Sequence, residues 1–170
     1  MTGKMLLAGA AALFLGSLTV PAAYADDLQG QTKQDFIDAL EPQGTMRGLT
    51  VATEQPKPQK DMRIQFEFGS AELTPSARQV LDELGAALQS EELSSFQFSL
   101  VGHTDAVGSD DANLSLSERR AQSVKDYLIT EFHIDPARLQ SSGAGEGDLA
   151  DPSNPNSGIN RRVVITNIGS

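Results

Sequence analysis

The change in hydrophobic spacing along the chain is the feature that most constrains its fold. Beginning at Met62, apolar and polar residues alternate, as they do in a strand that buries one face. The apolar positions of this predicted strand are Ile64, Phe66 and Phe68. After Thr74-Pro75, a helix N-cap followed by a proline at the first helical position, the spacing changes to the period of a helix. The stripe of this helix consists of Ala77, Val80, Leu81, Leu84 and Leu88.

The same succession of element types continues towards the C-terminus. A second strand carries Phe96, Phe98 and Leu100 on one face. We expect the next helix to open at Ser115-Leu116-Ser117-Glu118, which fits a capping box, and to end at a left-handed His133. Residues 139–142 and 162–168 are predicted strands on either side of a loop at 143–157. This β-α-β-α-β-β order predicts an α+β fold of two layers, with helices packed on a mixed β-sheet.

Residues 1–25 have the pattern of a secretory signal peptide. A basic Lys4 precedes an uncharged run, and Ala23-Tyr24-Ala25 forms a small-residue cleavage site before Asp26. We therefore predict cleavage after Ala25 and a periplasmic protein without an integral membrane span. A retained anchor is the alternative, because the uncharged run is just long enough to cross a bilayer.

Residues 26–60 form a predicted N-terminal segment and linker ahead of a domain at 61–170. Phe36, Ile37 and Leu40 have the spacing of a short amphipathic helix. Residues 46–53 are a candidate strand, and 54–60 are a polar spacer interrupted by prolines. The sequence leaves two roles open for residues 26–60, which could pack on the domain as an extra edge or serve as a tether.

The composition excludes several kinds of protein. The formal net charge is −10, which opposes nonspecific binding to nucleic acid and to anionic lipid, so we expect no nucleic-acid partner. The chain has no cysteine, which rules out both a disulfide framework and an acylated cysteine anchor. Because the net charge is strongly negative, any positively charged binding site must be a local cluster of side chains.

Three short motifs at fixed spacing carry the functional information. The first comprises Gly102-His103-Thr104-Asp105, Asn113, Leu116-Ser117 and Arg120-Ala121. The other two are Gly143-x-Gly145-Glu146 and Asn160-Arg161-Arg162-Val163. Together they resemble the signature of the OmpA-like peptidoglycan-binding domain, written G-H-T-D and N-x-x-L-S-x-x-R-A, then G-x-G-E and N-R-R-V. The resemblance covers residues 62–168.

This resemblance implies a noncatalytic, cell-wall-associated protein of the periplasm or outer membrane, which needs no cofactor and no metal. Its ligand would be peptidoglycan, bound noncovalently through the diaminopimelate of the stem peptides. The family's pattern implies that Asp105 and Arg120 hold the ammonium and carboxylate groups at the free end of that side chain. The other contacts that it implies are Asn113, Thr104 and Arg161, with Arg162 structural.

Helical geometry distinguishes the two adjacent arginines. At roughly 100° per residue, Arg120 falls at the edge of the apolar stripe of its helix, whereas Arg119 points well away from it. The stripe consists of Ala121, Val124 and Leu128. Only Arg120 is therefore expected to lie beside the sheet.

Other interpretations use some of the same residues. Asp105 and Arg120 could form an ordinary surface salt bridge, since exposed ion pairs are common and weak. His103 and Asp105 could serve a wall-directed hydrolase, although no G-x-S-x-G elbow accompanies them. The fold could also act as an adaptor for another envelope protein.

A calcium site is a further alternative. Asp105, Asp110, Asp111 and Asn113 supply oxygen atoms within a short stretch, but they do not fit the spacing of an EF-hand. We expect Asp110 and Asp111 to be solvated loop charges instead, with Asn113 bracing the loop and donating its amide to the ligand.

Overall fold

The computed structural model describes residues 31–42, 57–64, 66 and 69–170, which form three α-helices and a four-stranded sheet. The helices are α1 (Lys33–Leu40), α2 (Pro75–Leu88) and α3 (Asp110–Phe132). The strands are β1 (Gln59–Met62), β2 (Gln97–His103), β3 (Leu139–Gly145) and β4 (Val163–Gly169). Short 3-10 helices span Pro136–Arg138 and Gly158–Asn160. The predicted α+β class and β-α-β-α-β-β order are confirmed, with α1 preceding them.

The sheet is mixed, with the strand order β1-β4-β2-β3. β2 and β3 are parallel and are joined through α3, while β4 lies antiparallel between β1 and β2. Gly102 near the end of β2 is opposite Val163 at the start of β4, and Gly143 is its partner on β3. The C-terminal ends of β2 and β3 therefore meet the N-terminal end of β4.

Helices and sheet share one apolar core. Every member of the stripe predicted for α2 is buried, and Thr74 caps the helix by accepting a hydrogen bond from the Ala77 backbone N–H at 3.2 Å. The largest fully buried side chains are Phe36, Leu40, Met62, Leu81, Leu84, Leu88, Leu93, Phe98, Leu100, Leu128, Leu139 and Ile165.

The helix α1 packs on the domain. The Lys33 backbone N–H donates to Glu83 Oε2 of α2 at 2.7 Å, and the Asn167 side chain of β4 donates to the Leu40 carbonyl at 2.9 Å. The described part of the N-terminal segment is therefore a packed element and not a tether. The predicted signal segment at 1–25 and the candidate strand at 46–53 lie outside the described residues.

The first strand lies earlier in the chain than predicted. It spans Gln59–Met62, so its first two residues fall within the segment predicted as a spacer. Met62 pairs with Val163, the first residue of β4, and none of the described residues beyond Met62 continues this pairing. Phe66 instead forms an isolated antiparallel bridge with Leu73. Of the predicted apolar face, Ile64 is buried and Phe66 is partly buried, while Phe68 lies outside the described residues. Alternation did not identify the paired backbone.

The start of α3 is also earlier than predicted. The capping box at Ser115 is wrong, because the N-cap is Ser109, whose hydroxyl accepts from the Ala112 backbone N–H at 3.4 Å. Asp110 and Asp111 are consequently residues of the first helical turn and not loop charges. Negative side chains are favourable there because the N-terminal end of a helix carries partial positive charge.

The other end of α3 follows the prediction. His133 adopts φ 54° and ψ 31°, the left-handed conformation expected at a helix end. The strand after it is longer than predicted, since β3 continues to Gly145.

Candidate functional site

Three chain segments meet at the end of the sheet where β2 and β3 finish. The Thr104 backbone N–H, just after β2, donates to the Gly145 carbonyl at 2.8 Å. The Ala106 N–H donates to the Pro155 carbonyl at 3.0 Å, which joins the loop after β2 to the loop before β4. The first turns of α3 form the third side.

Two glycines allow α3 to approach this end of the sheet closely. A Cβ atom at Gly102 would overlap the Ser117 carbonyl oxygen, and one at Gly143 would overlap the Ser117 hydroxyl. That hydroxyl accepts a hydrogen bond from the Gly145 N–H at 2.9 Å. The motif glycines therefore fix the position of the helix that carries two of the predicted ligand contacts.

A cavity of about 520 Å³ opens between these segments. All five residues predicted from the sequence line it, namely Thr104, Asp105, Asn113, Arg120 and Arg161. The remaining lining residues are Phe66, Gly69, Val107, Leu116 and Asn156. The cavity thus combines one carboxylate, two guanidinium groups, neutral polar groups and apolar walls.

Asp105 forms an ion pair with Arg161. The Arg161 Nη1 atom donates to Asp105 Oδ2 at 2.6 Å, while Asp105 Oδ1 accepts from the Val107 N–H at 3.3 Å. The Asp105 side chain is 13% exposed and that of Arg161 is 52% exposed. The carboxylate is therefore held in place, whereas its cationic partner reaches in from the solvent side.

Arg120 is buried and forms none of the ion pairs found among the described residues. Its Nε–H donates to the Ser70 carbonyl at 3.0 Å, and its guanidinium carbon lies 4.9 Å from the centre of the Phe66 ring. Burial lowers the pKa of Arg120 below the usual arginine value. The nearby Arg161 adds to this, and Asp105 opposes it. An arginine remains charged at neutral pH, so the cavity wall carries a desolvated cation.

The two adjacent arginines are oriented as helical geometry predicted. Arg120 is 7% exposed and lines the cavity. Arg119 is exposed, and its Nη1 atom donates to the Ser115 hydroxyl at 2.6 Å along the outer face of α3.

Thr104 and Asn113 are the two predicted contacts with neutral polar side chains. Thr104 is 2% exposed, and its hydroxyl has no hydrogen-bond partner within the described part of the chain. Asn113 is 5% exposed, and its Nδ2 atom donates to the Asp105 carbonyl at 3.3 Å and to Glu146 Oε2 at 2.6 Å. The predicted bracing of the loop by Asn113 is therefore observed.

His103 and Arg162 are each adjacent in sequence to a residue that lines the cavity, but they do not line it themselves. Arg162 donates to Asp148 Oδ2 at 3.3 Å and lies 3.8 Å from Asp61 Oδ2. His103 is 4% exposed, and burial, followed by the nearby Arg162 charge, lowers its pKa. A catalytic base must reach the reacting proton, so this buried imidazole does not favour the hydrolase interpretation.

The described residues give no support to a calcium site. Among them, no group of three or more His, Asp or Glu side chains is arranged to hold a metal ion. Nor does any helix in the described ranges combine the length and apolarity that crossing a bilayer requires.

Sequence reasoning did not assign Glu146, Phe66 or the Ser70 carbonyl to the site. Glu146 is visible as the last letter of G-x-G-E, but its contact with Asn113 depends on how β3 and α3 pack. Phe66 was expected to be a strand residue of the core. A backbone carbonyl has no signal in the sequence.

This geometry defines a class of protein. It is a domain in which helices pack on one sheet, with a cavity lined by side chains of opposite charge at one end of that sheet. The OmpA family model matches residues 65–162, and the chain belongs to that family. The sequence is 37% identical to outer membrane protein A of Bordetella avium over 107 residues, which cover 62% of this chain and 54% of that protein. The chain thus spans about half the length of this relative.

Solved structures have the same fold. The putative MotB-like protein of Desulfovibrio vulgaris aligns with a TM-score of 0.59 over 87% of this chain and 96% of its own, at 24% identity. The peptidoglycan-associated lipoprotein of Burkholderia pseudomallei aligns with a TM-score of 0.52 over 61% of this chain and 87% of its own, at 21% identity. These two likenesses show the shared fold. Membership of the OmpA family, whose members are structural or binding proteins, confirms the prediction of a noncatalytic protein.

Proposed function

We propose that the protein binds peptidoglycan noncovalently by taking the free end of a diaminopimelate side chain into the cavity. The observation that carries this proposal is the buried Arg120 guanidinium, which shares the cavity with Asp105 but has no carboxylate paired with it among the described residues. A desolvated cation of this kind favours an anionic ligand group, because burial without a partner is costly.

The ligand supplies the complementary pair of charges. The free end of diaminopimelate carries an ammonium and a carboxylate on one carbon atom. The carboxylate accepts hydrogen bonds from the planar guanidinium of Arg120, which offers donors in a fixed fork that lysine lacks. The ammonium donates to the carboxylate of Asp105.

Binding in this way exchanges one ion pair for another. In the free protein Arg161 occupies Asp105 Oδ2 at 2.6 Å, so the incoming ammonium displaces it. The released guanidinium of Arg161 lies on the solvent side of the cavity, where it can turn towards the ligand carboxylate. The remaining polar contacts are Asn113 and Thr104, whose hydroxyl has no hydrogen-bond partner among the described residues.

The setting of the relatives supports a role at the cell wall. One structural neighbour is a peptidoglycan-associated lipoprotein, and another is the cell wall anchor of the T6SS of Pseudomonas aeruginosa. By this proposal, residues 1–25 are a signal peptide, residues 26–60 lead into a peptidoglycan-binding domain at 61–170, and the mature protein starts at Asp26 in the periplasm. Mass spectrometry of the native protein tests that N-terminus.

Cosedimentation with insoluble peptidoglycan tests the function. We expect the protein to sediment with diaminopimelate-type wall but not with lysine-type wall, because lysine lacks the second carboxylate. The wall fragments recovered afterwards should be unchanged in composition. Equal sedimentation with both wall types would contradict the proposed ligand, and new cleavage products would contradict a purely binding role.

A further inference from the structure

We propose that Glu146 is a positioning residue that fixes the side-chain amide of Asn113, so that Asn113 accepts a hydrogen bond from the ligand ammonium instead of donating one to the ligand carboxylate. This inference rests on the proposed function and deepens it. In the resulting arrangement, Asp105 and Asn113 accept hydrogen bonds from the ligand ammonium at one end of the cavity. Arg120 donates to the ligand carboxylate at the other end.

The orientation of the Asn113 amide follows from its two partners. Its Nδ2 atom carries two hydrogens and lies 2.6 Å from Glu146 Oε2 and 3.3 Å from the Asp105 carbonyl oxygen. Both partners are acceptors, and an ionised carboxylate cannot donate. If the amide were reversed, its oxygen would face two other oxygens. The two acceptors together determine which end of the amide is Nδ2, and Glu146, at 2.6 Å, is the closer of the two.

The remaining group of Asn113 is its carbonyl oxygen. Both amide hydrogens are already engaged inside the protein, so a ligand entering the cavity meets Oδ1, which has no hydrogen-bond partner in the described part of the chain. This replaces the expectation that Asn113 donates to the ligand. Asp105 and Asn113 then form one acceptor pair, tied together through the Asp105 carbonyl.

Glu146 is not one of the described residues that line the cavity. Its effect on the ligand is therefore exerted through Asn113. It is half-buried at the end of β3, in the turn after Gly145, whose φ of 56° directs the chain back towards α3. An amide at position 146 would present both a donor and an acceptor, so that only the longer contact with the Asp105 carbonyl, at 3.3 Å, would still favour this orientation of Asn113.

The test uses three synthetic tripeptide amides, L-alanyl-γ-D-glutamyl-X, measured by calorimetric titration of the full chain. The residue X is meso-diaminopimelate, whose free end carries both charged groups, lysine, which carries the ammonium alone, or 2-aminopimelate, which carries the carboxylate alone. For Glu146→Gln we expect affinity for the diaminopimelate peptide to fall about tenfold, the size of one charged hydrogen bond. Affinity for the 2-aminopimelate peptide should stay the same. Glu131→Gln, at the exposed far end of α3, is the control for the lost charge.

A reversed pair provides the second variant. Asn113→Asp alone sets two carboxylates against each other and should weaken binding of the diaminopimelate peptide. In the double variant Asn113→Asp/Glu146→Gln, the glutamine donates to the new aspartate, whose other oxygen still faces the ligand as an acceptor. We expect the double variant to bind at least threefold more tightly than Asn113→Asp, since a restored neutral-to-charged contact contributes about that much or more.

The outcomes separate this inference from the proposed function. Failure of the unaltered protein to bind the diaminopimelate peptide overturns the proposed function itself. If the unaltered protein binds but Glu146→Gln weakens all peptides equally, or the double variant is no better than Asn113→Asp, the inference is wrong. If either variant unfolds, the inference is tested on the unaltered protein instead, by NMR of the Asn113 side-chain NH₂ group. Both protons should be protected before and after the peptide is added, and loss of protection on binding would overturn the inference.

Discussion

At the scale of single residues, Arg120 is the side chain on which recognition depends most. Arg120→Ala removes a buried cation that faces the ligand carboxylate, and we expect binding of diaminopimelate peptides to weaken by about 2 to 5 kcal/mol. Arg119→Ala is the matched control, since Arg119 contacts Ser115 on the exposed face and should contribute about 0.5 kcal/mol or less. Calorimetric titration, with melting curves to verify folding, measures both. Equal losses in the two variants would contradict the placement of the site.

We expect His103 to make the free energy of unfolding depend on pH. Its pKa is lowered from the ordinary value of 6.5, first by burial and then by Arg162, with Asp148 and Asp61 opposing. Between the folded and unfolded pKa values the unfolded chain binds more protons. Stability from this residue is therefore full above about pH 6.5 and is lost as the pH falls through that value towards the folded pKa.

The variant His103→Gln removes this titration. Its free energy of unfolding, measured by urea denaturation between about pH 8 and pH 5, should fall less on acidification than that of the unaltered protein. Parallel pH profiles of the two proteins would show that His103 is not the group responsible.

Side-chain pairing is the part of the site that residue types did not reveal. The motifs correctly brought Asp105, Arg120 and Arg161 to one cavity, with Asp105 just after β2, Arg120 within α3 and Arg161 just before β4. They did not show that Asp105 pairs with Arg161 in the free protein. Both arginines are chemically suitable, and the choice depends on distances that only the assembled loops define.

At the scale of elements, the start of α3 is set by Ser109. Ser109 and Ser115 both precede residues that fit a helix start, and sequence alone favoured the wrong serine because Glu118 completes a capping box with the latter. The same limit applies to β1, whose end is determined by where β4 begins and not by its own alternation.

Paired substitutions test this helix start. Ser109→Ala should lower the free energy of unfolding by about 1 kcal/mol, because it leaves a backbone donor of the first turn without its cap. Ser115→Ala, a change within an exposed helical stretch, should alter it by about 0.5 kcal/mol or less. Chemical denaturation of the two variants gives the comparison. A larger effect at Ser115 would place the helix start where the capping box predicted it.

At the scale of the whole molecule, α1 packs into the same core as the sheet although the family match begins only at residue 65. Phe36 and Leu40 are fully buried in the common core, and the Lys60 ammonium lies 5.5 Å above the Phe36 ring. The short amphipathic pattern predicted the helix, but whether it packs or tethers depends on surfaces of α2 and β4 that are distant in sequence.

Truncating the α1 contact should therefore destabilise the whole domain. We expect Phe36→Ala to lower the free energy of unfolding by about 3 to 5 kcal/mol, as large cavities in a core do. Gln34→Ala on the exposed face of the same helix should change it by about 0.5 kcal/mol or less. Thermal unfolding should remain a single transition in both variants. A separate low-temperature transition in Phe36→Ala would mean that α1 folds independently of the sheet.

The central claim is that the cavity holds both charged groups of the diaminopimelate end in a fixed orientation. A crystal structure of the protein bound to the L-alanyl-γ-D-glutamyl-meso-diaminopimelate amide tests it most directly. We predict the ligand carboxylate on the Arg120 guanidinium, the ammonium on the Asp105 carboxylate and Arg161 displaced from Asp105. An ammonium directed at Arg120's side of the cavity, an intact Asp105–Arg161 pair, or a peptide bound elsewhere on the domain would contradict the account.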